Sequence, residues 1–345
     1  MKLTDFEFSL PAELIAQRPL PRRDESRMMV VRRESRQWAH RFFRELPEIL
    51  SPEHFLVLNN TRVFPARLWG HRPGKRERIE ILLVRERSPG QWAALLKPAH
   101  KAPAGQLLEV SDVKAQVIQV LESGQRVLQF DSPEPLLADL DRIGEPPLPP
   151  YVHRARGDSL EADRERYQTV YARHKGSIAA PTAGLHFTRE ILSRLEEGGI
   201  RRCEILLHVG YGTFQPVRSV EIENHALEPE YYEVPEDAAS FINKWKQSGK
   251  QLVAVGTTTT RALEYQVRKS PYGISAGSGW CDLFIYPGFR FQVIDGLLTN
   301  FHLPASTLLM LVCALAGRKF VLECYREAVA RRYRFFSYGD CMLIL

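Results

Sequence analysis

Between Pro65 and Ser132 the chain carries short β-type runs and no convincing helical periodicity, inside a chain that otherwise mixes helix and strand patterns. Ile79–Val84, Trp92–Leu96, Lys114–Leu121 and Arg126–Phe130 are runs of this kind, separated by Pro73-Gly74, Pro89-Gly90 and Ser123-Gly124. Runs of four to eight residues bounded by Gly, Pro and Ser read as strands joined by turns. Several short strands at this spacing suggest a small barrel or a sandwich. Pro133 to Gly144 then reads as a helix with Pro near its start and Gly at its end, followed by the prolines 146, 147, 149 and 150. Residues 65–149 are therefore expected to form an all-β insertion. Residues 1–64 and 150–345 would make one discontinuous α/β body.

The flanking segments support that division. Ser26–Arg33 and Phe55–Asn59 read as buried strands before the insertion. After it, Asp158–Arg173 carries a charged helical pattern, Ile200–Val209 reads as a strand, and Pro235–Gln247 as a helix ending at Gly249. Leu252–Val255 and Trp280–Tyr286 are further strand patterns. Ser306–Ala316 is a helix with Ser306 as its cap and Gly317 as its stop. A length of 345 residues makes two domains the default. With 44% hydrophobic and 26% charged residues, a disordered, collagenous or disulfide-scaffold chain is excluded.

Charge and cysteine usage narrow the function classes. The net charge of +6 is a mild bias toward polyanions, and it is lopsided. Residues 1–80 hold 16 Lys and Arg against 11 Asp and Glu, which is +5. Arg22, Arg23 and Arg27 lie in that stretch, as a solvated face or a phosphate-contacting patch. The five cysteines form no C-x-x-C pair and no zinc spacing, so reduced thiols and no metal site are expected. The acids Asp5 and Glu7 break any leader-like apolar run, and the longest apolar stretch, Leu308–Gly317, is half the ~20 residues of a membrane span. A soluble, cytoplasmic protein is the expectation.

There is no phosphate-binding P-loop, H-E-x-x-H, G-x-S-x-G or G-x-G-x-x-G string. What remains is a set of Gly- and Pro-punctuated strings. Ala180–Thr188 brings a turn, a hydroxyl and His186 to a helix start, which suits an anionic group beside a base. Leu206–Phe214 follows a strand directly, with Gly210 and Gly212 permitting close backbone approach and Tyr211 or Phe214 available for stacking. Val255–Arg261 places four threonines and an arginine between a strand and a helix, a pocket for a carboxylate or phosphate. Thr299–Pro304, with His302, and Phe335–Asp340 offer polar groups flanked by aromatics, as a nucleobase pocket needs. Asn59-Asn60-Thr61-Arg62 ends a strand in the basic region. Read from the residues alone, this is an α/β enzyme with a polar, aromatic-lined site that acts on a nucleic acid, and each string has a structural alternative.

Taken in order, the strings resemble a known family. Leu14–Val31, Asn59–Leu68, Ala180–Thr188, His208–Val217, Val253–Glu264, Asp282–Val312 and Phe335–Asp340 are similar to the S-adenosylmethionine:tRNA ribosyltransferase-isomerases, from the first twenty residues to the last ten. The resemblance implies a barrel-like α/β main domain carrying a small β-barrel domain. It implies transfer and isomerisation of the ribosyl part of S-adenosylmethionine onto 7-aminomethyl-7-deazaguanine at the tRNA wobble position, giving epoxyqueuosine while adenine and methionine leave. S-adenosylmethionine is then a consumed substrate, no cofactor or metal is implied, tRNA is the partner, and a monomer is expected.

For that chemistry His186 and His302 are candidate base and acid, with ordinary imidazole values near 6.5, and Asp282 joins them as a catalytic candidate. Thr257, Thr258 and Arg261 would hold the methionine carboxylate, and Gly210, Tyr211, Gly212, Thr213 and Phe214 would meet the adenosyl part. Phe336 and Tyr338 would stack on the extruded base, with Asp282, Asp295 or Asp340 pairing with its aminomethyl group. Asn60, Arg62, Arg22, Arg23 and Arg27 are the candidate tRNA contacts. Two strings depart from the family pattern: Tyr211 stands where a small residue is usual, and Asn224–Glu230 reads NHALEPE. A methyltransferase and a non-catalytic tRNA-binding relative stay open as alternatives.

Overall fold

Apolar runs that are buried on both faces build the centre of a nine-stranded mixed sheet in the computed structural model, which describes residues 1–131, 140–154, 160–210, 217, 219–270 and 272–345. In spatial order the strands are Gly277–Cys281, Glu230–Val234, Arg201–Leu207, His54–Asn59, Gln251–Val255, Gly296–Asn300, Cys341–Ile344, Arg27–Arg32 and Gln37–Phe42. The four from Arg201 to Asn300 run parallel. Parallel strands need crossovers, which place helices over both faces and make the strands apolar throughout. Phe55 and Val57 accordingly enter the core beneath helices Glu236–Gln247, Thr257–Lys269, Thr307–Ala316 and Arg318–Ala330. Leu56 and Leu58 point the other way, against helix Arg189–Glu197 and Leu46. Each such side chain contributes about 1.5–3 kcal/mol by leaving water.

Local chemistry sets several boundaries where the sequence predicts them. Thr188 Oγ1 accepts from the Ile191 amide (3.1 Å) at the start of the Arg189 helix. Ser306 Oγ accepts from the Leu309 amide (3.2 Å), and Gly317 ends that helix with φ +87°. Three expectations differ. The strand expected over Trp280–Tyr286 is Gly277–Cys281, because the carbonyls of Cys281 and Leu283 go to the Arg261 guanidinium rather than to a neighbouring strand. Of the described part of the charged helical pattern Asp158–Arg173, Glu161–Arg166 is helix, and Tyr167 turns into a buried cluster while the Arg173 amide pairs with the Asn60 carbonyl (2.8 Å). The helix expected over Pro133–Gly144 lies partly outside the described residues, and 140–143 are helical.

The insertion is a six-stranded antiparallel sheet in the order Arg67–Gly70, Ile79–Ser88, Gln91–Lys97, Arg126–Phe130, Val113–Val120, Leu107–Val110. Its two ends meet: His71 and Glu109 exchange backbone hydrogen bonds of 2.9 and 2.8 Å, which nearly closes the barrel around Ile81, Leu108, Val117 and Leu128. Closure removes the unpaired edges that an open sheet would expose. The chain leaves and returns side by side. Arg67 and Glu145 pair through their backbones, and Gly144 sits against Pro65.

Among the described residues no helix is long and apolar enough to cross a membrane, and all five cysteines are free. The crossing itself can be tested. A Cβ at Gly144 would fall 2.1 Å from the Pro65 carbonyl oxygen and 2.7 Å from that of Leu140. Gly144→Ala is expected to lower the unfolding free energy by about 2 kcal/mol, read from urea denaturation. Wild-type stability in that variant would mean that the two crossings are not packed as described.

Candidate active site

Where parallel strands end, the chain must turn, and the backbone groups released there face one edge of the sheet. Four parallel strands end together in this protein, leading into Asn60, Val209, Gly256 and Asn300. A cavity of about 40 Å³ opens among them, lined by Thr257, Thr258, Thr299, Asn300 and His302, with Tyr151, Thr182, Phe336 and Ser337 on its other side.

Each wall has a local cause. Gly256 takes φ +97°, which lets the strand turn into the Thr257 helix while its amide still bonds the Leu298 carbonyl (2.8 Å). Thr259 and Thr260 donate their hydroxyls back to the carbonyls of Val255 and Gly256 (2.8 and 3.2 Å). That leaves Thr257 and Thr258 at the cavity, beside the first amides of the helix. Phe336 is held in the left-handed region (φ +73°) by its amide bond to the Phe301 carbonyl (2.9 Å), a strained conformation for a side chain of this size. Its ring meets Tyr151 edge-on at 3.9 Å, and Tyr151 hydrogen-bonds Ser337.

Both candidate histidines are buried. His302 lines the cavity, with Nε2 2.7 Å from Thr299 Oγ1 and its amide on Tyr325 Oη (3.2 Å). His186 stands one layer behind, where its Nε2 faces Asn300 Nδ2 at 3.2 Å. Burial lowers both from the ordinary 6.5 to about 3, and for His186 the Arg23 guanidinium adds to that effect. Both rings are therefore neutral at physiological pH rather than near half-protonation.

Other expected residues have different surroundings. Arg261 is engaged by Glu230 (2.6 Å), with Leu283 and Cys281 carbonyls at 2.8 and 3.4 Å, and both charges are buried. The second Glu230 oxygen accepts from the Gly210 amide (3.0 Å). Asp340 accepts from the Arg27 amide (2.9 Å), the Arg27 guanidinium (3.1 Å) and the Arg334 amide (2.8 Å). Tyr338 Oη donates to Asp163 (3.1 Å), which also pairs with Arg154. Asp282 is exposed, and Asp295 takes Lys246 Nζ (2.6 Å) and the Leu252 amide (2.7 Å).

Arg23 donates to the carbonyls of Gln168, Leu185 and Glu165, tying the N-terminal segment down. Arg22 is exposed beside Asp24, Arg62 is exposed, and Asn60 is buried against Glu204. Thr257, Thr258, His302 and Phe336 thus share one cavity, with His186 behind it. Tyr211, Gly212, Thr213 and Phe214 lie outside the described residues.

A second cavity of about 750 Å³ lies between the barrel and the large sheet, and Val209 borders both. Gly210, His208, Tyr231 and Trp280 line its sheet side; Phe64, Arg85 and Trp92 line the other, with Lys175 at the rim. His208 and Tyr231 stack at 5.5 Å, Trp280 meets Tyr231 edge-on, and Arg85 sits 5.2 Å over Trp280. Sequence reasoning had Asn300 only as a member of the Thr299–Pro304 string, and it did not single out Glu230, Tyr231, Trp280 or Arg85 as site residues, since nothing local distinguishes those four from core or surface residues. Among the described residues no three His, Cys, Asp or Glu side chains converge as a metal site requires.

Comparison with known proteins follows from the whole chain. A family profile described as queuosine biosynthesis protein matches residues 3–344. The S-adenosylmethionine:tRNA ribosyltransferase-isomerases of Pelotomaculum thermopropionicum and Symbiobacterium thermophilum are 48% and 50% identical over 347 residues, covering 100% of each chain. The crystal structure of S-adenosylmethionine tRNA ribosyltransferase from Thermotoga maritima is 38% identical and covers 99% of this chain and 100% of its own, with a TM-score of 0.56.

The site's electrostatics give two expected outcomes. Glu230→Gln leaves the buried Arg261 charge uncompensated and should cost about 3 kcal/mol of stability, partly recovered in Glu230→Gln/Arg261→Met and measured by denaturant titration. Between pH 6.5 and about 3 the unfolded chain binds protons at His186 and His302 that the folded chain refuses. Their contribution is therefore complete above pH 6.5 and is lost as the pH falls, by about 2 kcal/mol per imidazole at pH 5. Thermal melts from pH 7.5 to 5 should show a smaller loss in His186→Gln and His302→Gln than in wild type.

Proposed function

This chain belongs to the S-adenosylmethionine:tRNA ribosyltransferase-isomerase family of queuosine biosynthesis, and on that premise we propose how its two cavities carry the reaction. It is an enzyme that transfers the ribosyl moiety of S-adenosylmethionine to 7-aminomethyl-7-deazaguanine and isomerises it, with S-adenosylmethionine and tRNA as its substrates. In our reading the acceptor base is at the tRNA wobble position, the product is epoxyqueuosine, and adenine and methionine leave.

The observation that carries the assignment is the convergence of Thr257, Thr258 and His302 in one small cavity that borders a large aromatic one. The methionine carboxylate sits at the Thr257 helix start, where free amides, two hydroxyls and the helix dipole favour an anion. Arg261 supports this place from outside, because Glu230 already neutralises it. The ribosyl and purine parts extend past Val209 and Gly210 into the larger cavity, where Tyr231 and Trp280 offer stacking faces to a base. Arg85 there and exposed Arg62 supply positive charge for phosphates, while Lys175 and Arg22 are shared with Asp141 and Asp24.

The carbon beside the sulfonium must lose a proton before it can react. A neutral imidazole can accept it, so His302, which lines the cavity, is the base, while His186 is a positioning residue acting through Asn300. The barrel, residues 65–149, is an inserted domain on a catalytic body of residues 1–64 and 150–345. Its separate core and paired crossings support that division, although Ile178 of the body packs into the barrel core.

Purified protein is to be mixed with S-adenosylmethionine and tRNA carrying 7-aminomethyl-7-deazaguanine. Adenine release, with a nucleoside heavier by the transferred ribosyl unit, is expected; S-adenosylhomocysteine in place of adenine would overturn this reading. His302→Gln should lower kcat by about 10²–10⁴-fold with S-adenosylmethionine binding little changed. Because burial holds both imidazoles far below 6.5, the acid limb of the wild-type pH–rate profile should show no inflection near 6.5. Near-wild-type turnover by the variant would remove His302 from the base role.

A further inference from the structure

The amide of Asn300 is committed on one side only. Its Nδ2 donates to the Phe336 carbonyl at 3.1 Å, and the same nitrogen faces His186 Nε2. A carbonyl oxygen can only accept, so turning the amide over would set two oxygens against each other. The orientation is thereby determined, and among the described residues it leaves Oδ1 with no hydrogen-bond partner in a residue that is 2% exposed. A buried acceptor in that condition is rare and costly unless something supplies the donor. Asn300 lines the same cavity as the start of the 13-residue Thr257 helix.

The charge of the lining selects the donor. Apart from Asn300 Oδ1 the cavity offers hydroxyls, helix-start amides and an imidazole, a lining that suits a small polar group better than an apolar ring. Among the described residues no carboxylate lines it, so a cation there must be met by a neutral oxygen. The helix start, in the same lining, favours the opposite charge. A zwitterion satisfies both halves.

We infer that Asn300 is a specificity-determining residue whose Oδ1 accepts a hydrogen bond from the α-ammonium of S-adenosylmethionine, while the α-carboxylate lies against the Thr257 helix start. The inference rests on reading this cavity as the methionine end of the donor site. It adds the recognition of an ammonium to the hydrogen bonds by which Asn300 holds Phe336 and faces His186. A donor lacking the α-amino group leaves Oδ1 buried and unpaired, and is rejected for that reason.

The test compares S-adenosylmethionine with its desamino analogue, which keeps the sulfonium and carboxylate, by titration calorimetry on the full chain. Wild type should bind S-adenosylmethionine about 10- to 100-fold more tightly, the range of a charge-assisted hydrogen bond. Asn300→Ala should bring the two ligands within about threefold of each other. Asn300→Asp, which keeps an acceptor but loses both donors, should retain the preference. Equal binding by wild type overturns the inference, and this arm needs no folded variant. So does a wild-type preference that survives in Asn300→Ala, because a residue that only tethers Phe336 and His186 would weaken both ligands alike. Adenine release is scored separately. Tight, Asn300-dependent preference without adenine release would support the inference and count against the ribosyl-transfer reading.

Discussion

The buried pair between Arg261 and Glu230 is where four separate pieces of chain are held to one another. Arg261 belongs to the Thr257 helix, Glu230 opens an outer strand, and the remaining bonds reach the Gly210 amide and the carbonyls of Cys281 and Leu283. Two charges taken out of water are tolerable only when almost every donor and acceptor is used, and here they are closely matched. The turn after the Arg201 strand, the outer strands and the helix start are thereby set in one frame. The same commitment takes Arg261 away from substrate. A positive charge that the sequence offers as a carboxylate ligand works instead as an anchor of the cavity wall.

Under the proposed reading, an anion at the cavity meets dipoles rather than a free cation. The first amides of the Thr257 helix, two hydroxyls and the neutral imidazole of His302 face a space from which, among the described residues, full charges of the protein are absent, with neutral His186 one layer behind. Prearranged dipoles in such a place stabilise charge without having to reorganise when it develops. The adjoining cleft has the opposite character, being large, aromatic and edged by Arg85 and Lys175. The division matches a donor with a small zwitterionic end and a stacking end, and an acceptor that arrives on a polyanion.

Much of the fold was legible in the residues. Runs such as Phe55–Asn59 and Leu252–Val255 are apolar on both faces because helices cover both sides of a parallel sheet, and they fall where expected. Thr188 and Ser306 announce helix starts because a hydroxyl can satisfy an orphan amide locally. The barrel strands Arg67–Gly70 and Leu107–Val110 were not read, since four residues do not establish a period of two. Trp280–Tyr286 was read too far because its carbonyls are claimed by a guanidinium twenty residues away in sequence.

At the site the same boundary separates local from distant physics. The threonine run, the two histidines and the glycine turns marked the carboxyl ends of strands, because polar and small residues after an apolar run have few other uses. Sequence alone thereby determined the fold class, the family and the strings from which the site is built. Which members of those strings face one another was decided by strand order, which places residues 60, 209, 256 and 300 at a single edge. Only the tertiary structure could bury His186 and His302 into neutrality, spend Arg261 on Glu230, and leave one oxygen of Asn300 without a partner. Solvation and pairing depend on neighbours that lie tens to hundreds of residues away, and no local pattern records them.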